Sequence, residues 1–202
     1  MKYTEYLKRE EERAEKLKQN ADKAYIATYT GKKFFLLNPR IEDIDIIDIA
    51  HALALQCRWT GHCKFHYSVA QHAYYCSLLG PENEAFHRLN HDDSEAYISD
   101  MNRPLKHYTE AGEAYMQVEE PLQGLIYDAF GLSRIEPASV KIADNKMLYT
   151  EKAQIMGYTF NEAEKWSPDE GQCSIVIERW SPEQAEHMFL ERFYQLQKRR
   201  IN

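Results

Sequence analysis

A chain of 202 residues can bury one substantial core and is too short for two ordinary domains, so a single globular domain is expected. With 32 acidic against 25 basic side chains the formal charge is -7, which argues against a surface built to grip duplex nucleic acid but leaves room for a local phosphate pocket. There is no apolar run of transmembrane length and no signal-peptide-like segment, so no membrane partner is expected. The four cysteines (Cys57, Cys63, Cys76, Cys173) read as reduced thiols in a cytoplasmic protein.

In chain order, residues 1–22 are good helix formers with too few apolar positions for a core-facing stripe, which predicts a charged, solvated or oligomer-contacting helix. Residues 25–37 place β-branched and aromatic side chains on both sides of Thr30-Gly31, a hairpin pattern ended by Asn38-Pro39. From Ile44 to about Trp59, apolar residues recur at helical spacing (Ile46, Ile49, Ala50, Leu53, Cys57). Ser68 with Gln71 makes a capping box for the next helix, which Gly80-Pro81 ends, and His72 shares its inner face with Val69, Ala73 and Cys76.

Glu82 to about Asp100 is predicted helical, Asn102 to Lys106 is predicted as a loop, and Pro121 is expected to break or kink the helix that follows. A further helix spans about Pro137 to Met156. CSIVIERW, from Cys173, reads as a short strand, and Ser181-Pro182-Glu183-Gln184 opens the last helix. The expected architecture is one all-α domain: the charged helix at 1–22, the hairpin at 25–37, a helical metal-binding core at 44–156, and a strand with the C-terminal helix at 173–202.

The chemistry concentrates in NHDDSEAYISDMNRPLK, where His91 and Asp92 stand side by side with Glu95 and Asp100 beyond. Adjacent helical residues diverge by roughly 100°, so His91 and Asp92 can share an ion only over the seam between them, and other helices must complete the set. His72 is the best further imidazole and Asp144 the best distal carboxylate. Two imidazoles and two carboxylates suit zinc, manganese, cobalt or iron better than calcium. Glu95 faces the same side as His91 and Asp92 and can handle a proton, while Asp100 can orient water or protonate a leaving oxygen.

Taken singly, each residue also has an ordinary structural reading: His72 as a core histidine, Asp144 as a helix-surface charge, and Asp92, Asp93 and Glu95 as a solvated acidic face. Cys57, His62, Cys63 and His66 could be imagined as a zinc knuckle, but the Cys-x-x-Cys spacing of structural zinc sites is missing.

From Arg58 to Glu151 the chain resembles the HD-domain phosphohydrolases, above all the bacterial 5'-deoxynucleotidases and the phage enzymes that remove triphosphate from dATP. The resemblance implies a helical HD-domain bundle, a homo-oligomer, and one divalent zinc, manganese or cobalt ion held by His72, His91, Asp92 and Asp144. It assigns catalysis to Glu95 and Asp100, and phosphate, sugar or base contacts to Arg58, Trp59 and Lys106. The segment RWTGHCKFHYSVAQH is slightly shorter than the bacterial pattern and carries His62, Lys64 and His66. With His62 and His66 as added phosphate contacts, it points to dATP hydrolysis to deoxyadenosine and triphosphate, with magnesium on the substrate phosphates. A dNMP 5'-nucleotidase and a non-catalytic nucleotide sensor are the alternatives. The location is cytoplasmic, the host's if phage-encoded.

Overall fold

The computed structural model describes residues 23–157 and 173–201, together with positions 5, 7–9, 11, 12, 15, 16 and 20. Those early positions are helical and exposed, as their charge predicts; the rest of the 1–22 segment lies outside the described residues. The architecture is mostly helical with one small antiparallel sheet. Strands β1 (Ile26–Ala27) and β2 (Lys33–Phe34) pair in the register Ile26 to Phe34 around the turn at Thr30-Gly31, where Gly31 takes φ +85°.

Eight α-helices follow among the described residues: α1 (Ile46–Leu55), α2 (Val69–Ser77), α3 (Ala85–Leu89), α4 (Glu95–Ile98), α5 (Arg103–Tyr108), α6 (Glu110–Ala129), α7 (Ala138–Gln154) and α8 (Pro182–Ile201). Helix α2 is central and packs against α1, α3, α7 and α8. Its Ala70 and Ala73 are fully buried and let the neighbouring helices approach closely. Ser68 caps it by accepting the Gln71 N–H at 3.1 Å. Ser181 likewise accepts the Gln184 N–H at 3.2 Å, and α8 then buries Ala185, Phe189, Phe193 and Leu196 along one stripe. Each of those phenylalanines contributes about 1.5–3 kcal/mol by leaving water. No helix among the described residues is long and apolar enough to cross a membrane.

Five expectations need correction. The helix predicted over 82–100 is two short helices, α3 and α4, separated by a turn at His91–Ser94. Gln123 of α6 explains the break. It accepts the Ser94 N–H at 2.9 Å and donates to the Asn90 carbonyl at 2.7 Å, which are the two groups a continuous helix would have joined to each other.

The predicted loop at Asn102–Lys106 is instead the start of α5. Asn102 caps it by accepting the Leu105 N–H at 3.1 Å, and Pro104 falls in the first turn, where a missing N–H costs nothing. Helix α6 runs through Pro121, because Pro121 and Gln117 both lie on the exposed side, where solvent takes the carbonyl that loses its partner. Helix α1 ends at Leu55, short of the predicted Trp59, and Cys57 pairs in a β-bridge with Ser68.

The segment from Cys173 is not a strand. Side chains take its backbone groups instead: Gln154 bonds the Ile175 carbonyl and the Ile177 N–H (both 2.9 Å), and Gln71 donates to the Glu178 carbonyl at 2.8 Å.

Candidate metal centre and the cavity around it

His72, His91, Asp92 and Asp144 come from α2, the α3–α4 turn and α7, and the structure brings them together. His72 is fully buried, with Nδ1 2.6 Å from Glu151 Oε1. That bond turns Nε2 toward Asp144 Oδ1 at 3.5 Å and Asp92 Oδ2 at 3.7 Å. His91 follows the same logic: its Nδ1 donates to the Arg88 carbonyl at 2.9 Å, and Nε2 lies 3.3 Å from Asp92 Oδ2. His91 Nε2 is buried with no hydrogen-bond partner among the described residues.

Donors bound to one ion at about 2.0–2.2 Å lie roughly 3–3.6 Å apart, so these spacings suit a shared cation. His72, Cys76 and His91 also offer donor atoms that all lie within 4.8 Å of one another. A metal ion therefore fits the group of His72, Cys76 and His91, with Asp92 and Asp144 close by His72. Breaking the helix at His91 removes the divergence expected of adjacent helical residues.

Burial alone would raise the Asp144 carboxyl, but His72, His91 and Lys141 outweigh it and hold the group well below the usual carboxylate range.

Glu151 is fully buried and gathers four donors: His72 Nδ1, Trp59 Nε1 at 2.9 Å, the Tyr67 hydroxyl at 3.0 Å and Arg58 Nε at 3.3 Å. Burial pushes its carboxyl up, yet Arg58 and His72 bring it below the ordinary value. The sequence reading gave Glu151 no role. The available signal was its place seven residues after Asp144, two turns along α7 and on the same face.

Glu95 opens α4, and Asp100 follows Ser99, whose backbone lies at φ +72°, ψ 150°, a region that strains any residue but glycine. Gln56 spans both, donating to the Glu95 carbonyl at 2.9 Å and accepting the Asp100 N–H at 3.1 Å. Its own carbonyl accepts the Val69 N–H at 3.1 Å, tying it to the start of α2. Burial raises the Glu95 carboxyl well above its usual value, with Asp92 and Asp100 adding to the effect, and Asp100 is raised for the same first reason. Glu95 and Asp93 are both buried, which removes the reading of this run as a solvated acidic face.

A cavity of about 350 Å³ opens beside these groups, lined by Arg58, Trp59, Glu95, Asp100, Lys106 and Leu148 among others. Trp59 and Thr60 both take left-handed backbone conformations (φ +58° and +53°) at its wall. Arg58 is turned inward to Glu151 and, at 3.5 Å, to Asp92; Lys106 pairs with Glu119 at 2.6 Å. A second cavity of about 540 Å³, reaching Gln123 and Arg134, shares Asp92, Lys106, His107, Lys141 and Asp144 with the first.

His62 and His66 are the corrections here, because neither lines these cavities. His66 Nε2 lies 3.0 Å from the Ala54 carbonyl, His62 is exposed, and Lys64 donates to the Gln154 carbonyl at 3.0 Å.

No protein-family model matches the chain. It is 37% identical over 177 residues to the uncharacterized protein YfdR of Escherichia coli, covering 86% of this chain and 96% of that one. It is 33% identical over 162 residues to the uncharacterized protein RCAP_rcc00048 of Rhodobacter capsulatus, covering 71% of this chain and 79% of that one. With that identity sustained over nearly the whole of YfdR, the chain belongs to the family that contains YfdR.

Proposed function

We propose that the chain is a metal-dependent phosphohydrolase of the HD class that hydrolyses deoxynucleoside 5'-phosphates, with dATP cleaved to deoxyadenosine and triphosphate. The observation that carries this reading is the convergence of His72 Nε2, His91 Nε2, Asp92 Oδ2 and Asp144 Oδ1 beside a cavity lined by the carboxyls of Glu95 and Asp100 and by cationic side chains that include Arg58 and Lys106. Those four residues would hold a zinc, manganese or cobalt ion, which when bound acidifies water and offsets negative charge on phosphate oxygens.

Water adds through its oxygen to the α-phosphorus, and the bond from that phosphorus to O5' breaks. Glu95, made more basic by burial, accepts the proton of the attacking water. Asp100 returns a proton to O5' so that the nucleoside leaves neutral. Arg58 and Lys106 hold phosphate oxygens, and Trp59 packs against sugar or base.

The second cavity supports the triphosphate reading, because it adjoins the first at Asp92 and Asp144 and offers room for a polyphosphate tail. Its acidic lining, Glu119, Glu120 and Glu136, suits a tail that carries magnesium. One observation favours the smaller dNMP substrate instead: Lys106, Lys141 and Arg134 are each already paired, with Glu119, Asp144 and Asp128.

Phosphate-release assays on the four dNMPs and four dNTPs, with products separated by chromatography, decide between them. Triphosphate and deoxyadenosine from dATP are expected. Phosphate from dAMP with inert dNTPs would shift the assignment to a 5'-deoxynucleotidase. Thermal stabilisation by nucleotide without any turnover would make the chain a sensor.

A further inference from the structure

We propose that Cys76 is a direct donor to the metal centre, so that the resident ion is a thiophilic one of the zinc and cobalt class rather than magnesium or manganese. This rests on the metal-centre reading above. Cys76 follows His72 by four residues on α2, so both side chains leave the same face of one helix. Its Sγ lies 3.4 Å from His72 Nε2, the nitrogen that Glu151 turns toward Asp92 and Asp144. Nitrogen and sulfur donors at neighbouring positions on one ion, at about 2.05 and 2.3 Å, lie roughly 3.1–3.6 Å apart, a range that includes the separation seen.

His91 supplies the independent observation. Its side chain is only 7% exposed, and its Nε2 has no hydrogen-bond partner among the described residues, a costly state for a buried polar atom unless a ligand covers it. That nitrogen belongs to the same group of donor atoms as Cys76 Sγ and His72 Nε2, all within 4.8 Å of one another. The ligands Asp92 and Asp144 then supply hard oxygen, the two imidazoles borderline nitrogen, and Cys76 the one soft atom; soft thiolate shifts selectivity toward zinc and away from magnesium and manganese. On binding, the thiol proton passes to solvent and sulfur bonds the ion as thiolate.

Two other cysteines are accounted for elsewhere. Cys173 Sγ lies 3.0 Å from Thr150 Oγ1, and Cys63 Sγ donates to the Arg58 carbonyl at 3.4 Å.

Cobalt(II) added to the metal-free full-length chain tests this through the absorption spectrum. Wild type is expected to show a near-ultraviolet thiolate-to-cobalt charge-transfer band, and Cys57→Ser, Cys63→Ser and Cys173→Ser are expected to keep it. Cys76→Ser should lose the band while elemental analysis still finds cobalt bound, and its zinc affinity should fall about ten-fold or more with manganese affinity unchanged. The wild-type spectrum decides even if a Cys76 variant folds poorly. Bound cobalt without the band overturns the role of Cys76 and leaves the centre standing. Wild type that binds no cobalt overturns both.

Discussion

Glu151 Oε1 lies 2.6 Å from His72 Nδ1, which makes a fully buried carboxylate the group that aims the central imidazole. Groups that orient a metal-binding histidine typically govern affinity by about 10–100-fold. Glu151→Gln is therefore expected to weaken zinc or cobalt binding by about that factor in chelator competition, with helical content retained. Unchanged affinity would show that His72 holds its ring without this bond.

Gln123 opens the helix at His91 by taking both the Asn90 carbonyl and the Ser94 N–H. Gln123→Met keeps the bulk but leaves two backbone groups without their partner, at about 1–3 kcal/mol each when buried. A fall in melting temperature together with weaker metal binding is expected, since the same turn carries His91 and Asp92. A variant that melts lower but binds metal as wild type would separate the turn from the site.

In the proposed mechanism Glu95 and Asp100 lie outside the ligand set and carry the proton chemistry. Glu95→Gln and Asp100→Asn should each lower turnover by about 10²–10⁴-fold while metal content stays the same. Full turnover of dNTPs and dNMPs by either purified variant would remove that residue from the mechanism.

Gly112 packs against the backbone of α5. A Cβ there would stand 2.0 Å from the Lys106 carbonyl oxygen and 2.5 Å from that of Leu105, so α5 itself must move. Gly112→Ala should cost about 1–3 kcal/mol, measured by denaturant unfolding, and raise KM for nucleotide by displacing Lys106. The exposed Glu113→Ala is the control, and no change is expected in either quantity.

Asp45 caps α1 by accepting the Ile47 N–H at 2.9 Å and pairs with Lys32 at 2.9 Å. Burial pushes its carboxyl up, but Lys32 and the Ile47 N–H bring it below the ordinary aspartate value. A folded value below the unfolded one of about 3.9 gives stability that is complete above that pH and is lost as pH falls through the folded value. Asp45→Ala should thus cost about 1 kcal/mol near neutrality, and the gap to wild type should narrow below pH ~4. A gap independent of pH would assign the whole effect to packing.

The starts of α2 and α8 were legible because their causes are local. Ser68 and Ser181 bond N–H groups three residues on, and Gly31 takes the backbone angle its turn requires. The break at His91 was illegible because its cause, Gln123, lies about thirty residues away in sequence and acts only after α6 has docked. The Cys173 segment failed for a related reason: its β-branched residues suit a strand, yet no strand among the described residues adjoins it, and Gln154 and Gln71 take its backbone. The residues that gather at the centre could be nominated from side-chain chemistry. Glu151 carried a weaker signal, its place two turns after Asp144, since a glutamate near the end of a helix looks the same whether it faces solvent or an imidazole.

Gln56 measures out the site with a side chain rather than with the main chain. Its amide holds Glu95 and Asp100, its carbonyl holds the start of α2, and the Arg58 N–H bonds the Tyr67 carbonyl at 2.9 Å just beyond. The stretch from Thr60 to His66 is therefore a closed excursion whose two ends are already clasped. Under the proposed function, its length and composition can change without resetting the spacing of Glu95 and Asp100, so the choice of substrate can shift while the reaction stays the same.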